Sequence, residues 1–264
     1  MNALPPGREL ARLPWRGREI HLEYEWVGVP RSAAPPVVFL HEGLGSISMW
    51  KDFPRELCAA HGLSGFVFSR YGYGNSTPKP RDEHWPVDFM AQQANEVLPA
   101  LFAAVDIERP RLFGHSDGAT IALLYAARHP AAGVVAVAPH LFVEEISIRS
   151  IELARDAFES SDLRSRLARH HADPDSAFRG WNDAWLSPEF RSWNIEADVA
   201  SITCPVLAVQ GEDDEYGSLE QIRALARRVP QSELLVLPEC GHSPHRDQPQ
   251  RLIRDTGAFF LRRG

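Results

Sequence analysis

Cysteine is scarce in this chain: Cys58, Cys204 and Cys240 are the only three in 264 residues, an odd number with no CxxC spacing. That pattern argues against a disulfide framework and suits buried free thiols in a reducing compartment. Long apolar runs are also missing; none approaches the roughly 18 residues a membrane span requires. The N-terminal stretch MNALPPGRELARLPWRG has no apolar core behind its charges, so the reading is a cytoplasmic protein without a membrane partner. Basic charge is in short supply. Lys and Arg number 28 against 35 Asp and Glu, a formal charge of -7, and the basic residues are scattered, which excludes nucleic acid as the expected partner. No HxH or HExxH cluster occurs, which argues against a metal hydrolase, and His170-His171 falls in a charged helical stretch that reads as solvated surface.

What is present is an alternation. REIHLEYEWVG places Ile20, Leu22, Tyr24 and Trp26 at every second position, the period of a half-buried strand toward a sheet edge. After a proline-rich break, VVFLH, GFVFS, PRLFGHS, GVVAVAP, PVLAVQG and SELLVLP are continuous apolar runs too short for helices, as strands buried on both faces would be. Segments of helical period separate them: MWKDFPRELCAAHG, VDFMAQQANEVLPALFAAV, DGATIALLYAARHP, SLEQIRALARRVP and QPQRLIRDTGAFFLRR. Strands alternating with helices imply a mostly parallel sheet covered on both faces. The alternation breaks once, over residues 140–200, which are helical or irregular. The expected division is therefore a core of residues 1–139 and 201–264 with an insertion at 140–200.

Ser116 sits in Gly114-His115-Ser116-Asp117-Gly118, where an apolar strand gives way to a helical period. A sharp turn there would expose the hydroxyl at the strand's carboxyl end, and the amide of Asp117 at the helix start could donate to a developing oxyanion. A serine nucleophile needs a base held by a carboxylate. His242 follows the last core strand, with His245 as the alternate, and Glu212, Asp213, Asp214 and Glu215 follow the strand before it. Asp214 is the choice among these four; some of the others belong to a solvated acidic turn, because clustered like charges cannot all be buried. A second oxyanion amide is expected from HEGLGS, residues 41–46, with Gly43 and Leu44 as donors.

In the order Ser116, Asp214, His242, with these elements around it, the chain resembles the α/β-hydrolase superfamily over nearly its whole length. HEGLGS resembles the family's HG-type oxyanion loop, SRYGYGNS its RGxGxS loop, and Gly211 to Asp214 its GxxD acid motif. Glu42 stands where the family usually has glycine. The resemblance implies an eight-stranded α/β-hydrolase sheet with a helical cap at 140–200. It implies a cofactor-free serine hydrolase acting on a small-molecule ester or other acyl substrate, most simply a carboxylic ester. The carbon–carbon hydrolases of aromatic catabolism share triad and cap but often carry a tryptophan soon after the histidine; GHSPHRDQP has none. SDG resembles the elbow of amino-acid-ester hydrolases, in which that acid meets an ammonium. Substrate contacts are expected from Glu42, His115 and Asp117 and, in the cap, from Trp181, Trp185 and Trp193. A non-catalytic binding protein on the same fold is the rival reading, and the complete set of serine, histidine, acid and glycine loop argues against it.

Overall fold

The structure is a computed structural model that describes residues 4–32 and 34–262. Its strands are β1 (Glu9–Trp15), β2 (Arg18–Gly28), β3 (Val37–Leu40), β4 (Ser64–Phe68), β5 (Arg111–His115), β6 (Gly133–Val137), β7 (Val206–Gly211) and β8 (Ser232–Leu237). They form one eight-stranded sheet in the order β1-β2-β4-β3-β5-β6-β7-β8. β1, β2 and β4 pair antiparallel, and from β4 onward every pair is parallel. The apolar runs occupy the middle: every residue of β3 to β7 is buried, whereas β8 at the far edge is mostly half-buried. β2 is next to the edge, covered on its outer side by β1. The strand reading of the sequence omitted β1, because ELARLPW breaks its apolar residues with Glu9, Arg12 and Pro14 and gains its order from pairing with β2 and burial of Ala11 and Leu13.

The two faces of the sheet bury separate clusters. Phe39, Phe113, Val135 and Val209 pack with Leu57 of helix Phe53–His61 and with Leu252 and Phe259 of helix Pro249–Arg262. Val38, Leu112 and Ala136 pack with Leu101 of helix Leu98–Ala104, Ile121 of helix Asp117–Ala126 and Leu225 of helix Glu220–Arg228. The helix expected over VDFMAQQANEVLPALFAAV widens to a π turn at Gln93–Val97, just before Pro99, whose missing N–H breaks the regular ladder.

Parallel register brings the carboxyl ends of β3, β5, β6, β7 and β8 to one sheet edge, with Leu40 opposite Gly114 and Gly211 opposite Leu237. Between β6 and β7 the chain turns away from the sheet into helices Glu145–Ser160, Leu163–Leu167, Pro174–Leu186 and Glu196–Val199. Pro174 at the start of the third is preceded by Asp173, whose side chain accepts from the Ser176 amide as an N-cap. No helix among the described residues is long and apolar enough to cross a membrane.

Candidate active site

Ser116 is the turn residue between β5 and the helix that begins at Asp117, with φ 54° and ψ −122°. A non-glycine residue in that region costs on the order of 1–3 kcal/mol and persists only where the surroundings hold it. Here the Ser116 amide donates to the carbonyl of Val137 on β6 (2.9 Å) and its own carbonyl accepts from Ala119 and Thr120. The glycines allow close approach: a Cβ on Gly114 would overlap the Gly118 carbonyl, and one on Gly118 would overlap the carbonyls of Leu40 and His41. The helix thus packs hard against the ends of β5 and β3, and its first amide, that of Asp117, has no acceptor within the helix.

His242 lies in the loop after β8. Its Nδ1 meets Asp214 Oδ1 at 2.8 Å and Oδ2 at 3.0 Å. Asp214 alone of the four acids after β7 is buried. It also accepts from Gln210 Nε2 (2.6 Å) and from the amides of Tyr216 (2.8 Å) and Gly217 (3.2 Å). Burial would raise the Asp214 carboxyl, but the bonds from His242 and the Tyr216 amide outweigh it and hold the group below its ordinary range. Burial pulls the His242 ring down, yet the hydrogen bond and charge of Asp214 outweigh it and leave the ring above its usual value. The His242 backbone is fixed as well: its N–H donates to Glu215 Oε2 (3.1 Å) and its carbonyl accepts from His115 Nε2 (2.7 Å). His245, the alternate base, is buried against Trp50, Phe53 and His115 and touches none of the four acids.

Ser116 and His242 open into one cavity of about 280 Å³, whose wall includes Glu42, Gly43, Leu44, Asp117, Trp181 and Trp185. The Glu42 carbonyl takes the Gly45 amide, His41 Nδ1 and Arg70 Nη2 as donors, at 3.1, 2.7 and 2.8 Å, which pins the turn that carries Gly43 and Leu44. Trp181 lies directly over Gly43, so close that a Cβ there would overlap the indole. Asp117 is buried; its Oδ1 accepts from Trp185 Nε1 at 3.2 Å, and its Oδ2 lies 4.0 Å from the buried Arg70 guanidinium with no hydrogen-bond partner among the described residues. Burial pushes this carboxyl up while Arg70 and Trp185 pull it down, and the net direction is up.

A model of the alpha/beta hydrolase family matches residues 37–255, from the first residue of β3 into the last helix. The chain belongs to that family. Among curated proteins it is 27% identical over 257 residues to "Serine hydrolase BPHL" of Mus musculus, covering 89% of this chain and 82% of that one. It is 24% identical to the 2-hydroxy-6-oxo-2,4-heptadienoate hydrolase of Pseudomonas putida, covering 86% and 90%. A solved esterase from Thermogutta terrifontis superposes with a TM-score of 0.75 at 20% identity over 97% of this chain and 98% of the other, which shows the shared fold.

In this alpha/beta hydrolase several cavity residues carry no sequence signal that singles them out. His140 follows β6; its backbone is clasped by Thr120 (2.8 and 3.0 Å), and burial pushes its ring down to about 3, so it is neutral. Ile151 arrives from the inserted helices, while Glu215, Tyr216 and Arg246 are near neighbours of Asp214 and His242, the only clue available to find them. Trp193 corrects an expectation: it is outside the cavity, stacked on Phe190 with ring centroids 5.1 Å apart. His171 is a second correction. Far from solvated, it is 5% exposed, accepts from the Gly74 amide at Nδ1 (3.0 Å) and donates from Nε2 to the Leu44 carbonyl (3.0 Å), tying the insertion to two loops of the sheet edge. The cysteines lie away from the cavity, Cys58 and Cys240 buried and Cys204 half-buried, with burial raising their thiols to about 12, 12 and 11.

Proposed function

We propose that this alpha/beta hydrolase is a serine hydrolase that cleaves a carboxylic ester through an acyl-enzyme on Ser116. The observation that carries the reading is the strained Ser116 turn facing the cavity into which the Asp214-held His242 ring also opens. Ser116 Oγ attacks the ester carbonyl carbon as His242 Nε2 takes its proton. Asp214 fixes the ring with its proton on Nδ1 and stabilises the imidazolium that forms. The tetrahedral oxyanion is held by the amides of Asp117 and Gly43, with Leu44 as the alternate donor; each such donor is worth about 3–4 kcal/mol in hydrolases where one has been removed. Collapse breaks the acyl–oxygen bond, His242 protonates the departing alcohol, and a water activated by the same ring releases the acid and regenerates Ser116.

The helices between β6 and β7 act in this reading as a cap, and Trp181, Trp185, Ile151 and Tyr216 give the cavity aromatic and apolar wall, suited to an apolar or aromatic acyl group. Asp117 Oδ2, which has no hydrogen-bond partner among the described residues and only the 4.0 Å contact to Arg70, favours a more specific substrate, an ester with a cationic group beside the scissile carbonyl. Matched esters with and without an α-amino group separate the two: a higher kcat/KM for the amino ester supports the cationic substrate, and equal values sink it.

A fluorophosphonate probe tests the central reading. Covalent labelling mapped to Ser116 is the expected result. A folded protein that takes no label and turns over no ester, thioester or ring-cleavage product would instead fit a binding protein.

A further inference from the structure

His115 precedes Ser116 and is 1% exposed. Its Nε2 lies 2.7 Å from the carbonyl oxygen of His242, and a carbonyl only accepts, so Nε2 must carry a proton. The other nitrogen, Nδ1, has no hydrogen-bond partner among the described residues and faces Glu42 Oε2 at 3.6 Å. A bare lone pair turned toward a carboxylate repels it; a proton on Nδ1 makes the contact attractive. Glu42 is otherwise met only loosely, by Arg246 at 3.6 Å. Burial opposes its charge, but the facing histidines, His115 first, hold it well below the ordinary carboxylate range. The aromatic rings that pack on His115 are those of Trp50, His245 and His242 itself.

We infer that His115, backed by Glu42, is a positioning residue: the pair forms a second histidine–carboxylate unit that holds the His242 loop by its carbonyl, as Asp214 holds the His242 ring. The role rests on the serine-hydrolase reading. It explains why a carboxylate occupies position 42, where the family usually has glycine. His115 also stands on the cavity wall, so support of the base is added to the expected substrate contact. His242 is then held at three points, by Glu215 on its N–H, His115 on its carbonyl and Asp214 on Nδ1. Loss of the carbonyl contact lets the ring swing on its loop, which lowers the rate of proton transfer more than it lowers substrate binding.

The test uses His115→Phe, which keeps a planar ring and removes the donor, and His115→Gln, whose Nε2 can still reach the carbonyl. Hydrolysis of p-nitrophenyl acetate and the rate of fluorophosphonate labelling are measured for both, with thermal unfolding alongside. We expect His115→Phe to lose about 10- to 100-fold in kcat and labelling rate with KM within about threefold of wild type, and His115→Gln to regain most of the loss. Glu42→Gln should fall between them. A folded His115→Phe with wild-type kcat overturns the inference, as does a folded His115→Gln as slow as His115→Phe, which would mark a packing role. If His115→Phe does not fold, His115→Gln decides alone: kcat within about threefold of wild type supports the contact, and a tenfold loss overturns it. If wild type neither hydrolyses esters nor labels at Ser116, the serine-hydrolase reading falls and the inference with it; labelled wild type beside an unaffected His115→Phe removes the inference alone.

Discussion

The two sides of the cavity are built from different materials. On the sheet side, the loops after β3, β5, β7 and β8 meet through hydrogen bonds and charge: Asp214, Glu215 and His115 grip His242 on its ring, its N–H and its carbonyl. On the side of the inserted helices, aromatic packing dominates. Phe158 and Phe178 stack with centroids 3.9 Å apart, Trp181 covers Gly43, and Trp185 packs beside Phe190 at 4.8 Å. Hydrogen bonds are directional and fix the angle of a reacting group; aromatic contacts fix volume and tolerate sliding. The sheet side should therefore govern the chemical step and the helical side the fit of the substrate. Substitutions on the first should appear in kcat, and those on the second in KM.

The largest break in that comparison is Ser116→Ala. Steady-state ester hydrolysis should fall by at least about 10⁴-fold while the fold persists, since alanine removes only the hydroxyl. Retention of most activity would remove Ser116 from the chemistry. Asp214→Asn should come next, with kcat lower by about 10²- to 10⁴-fold because the amide no longer fixes the ring's proton on Nδ1. The sign of its pH effect follows from the raised His242 ring. A base must be neutral, so kcat/KM falls as pH drops through that elevated value, and removing the Asp214 charge should move the acid limb to lower pH. Stability runs the other way: the protonated His242 contributes fully below the usual imidazole range and loses that contribution as pH rises through the folded value. An acid limb that stays in place in Asp214→Asn would show that another group sets it.

The same division governs how much could be read in the sequence. The sheet side was legible because strand ends carry their residues to one edge by topology alone: Ser116, Asp214 and His242 each follow an apolar strand run, and parallel register does the rest. Asp214 stands out from its acidic neighbours by the GxxD spacing from Gly211; like charge alone says only that the four cannot all be buried. The helical side was not legible to the same degree. Helical period says which residues share a face but not what that face meets, so Trp181 and Trp193 look alike in sequence although one covers Gly43 and the other stacks on Phe190. His171 looks solvated in sequence because its neighbours Arg166, Arg169 and His170 are polar; its burial comes from the Leu44 and Gly74 loops, remote in sequence. Asp117 was read as a helix-start acid or a substrate contact. Its bond to Trp185 and proximity to Arg70 depend on two partners that no local pattern relates to it.

On the helical side, Trp185→Phe should have the larger consequence. It keeps an aromatic ring but removes the N–H that reaches Asp117 Oδ1, leaving that buried carboxylate with only the 4.0 Å contact to Arg70. An unsatisfied buried acceptor costs about 1–3 kcal/mol. The expected result is a KM raised about fivefold or more with kcat within about threefold, read from initial rates on a panel of aryl and alkyl esters. A kcat loss at unchanged KM would mean that the Trp185 bond orients the Asp117 amide for the oxyanion, and the division between the two sides would fail at that point.

Trp193→Ala sharpens the comparison from the other end, because Trp193 belongs to the inserted helices without reaching the cavity. Half-buried and stacked on Phe190, it should cost about 1–3 kcal/mol of stability when truncated, seen as a Tm lower by several degrees, while kcat and KM both stay within about twofold of wild type. Trp185 and Trp193 would then separate by function as they do by position. A KM that rises in Trp193→Ala as much as in Trp185→Phe would mean that the packing of the inserted helices as a whole, rather than the residues facing the cavity, sets the fit of the substrate.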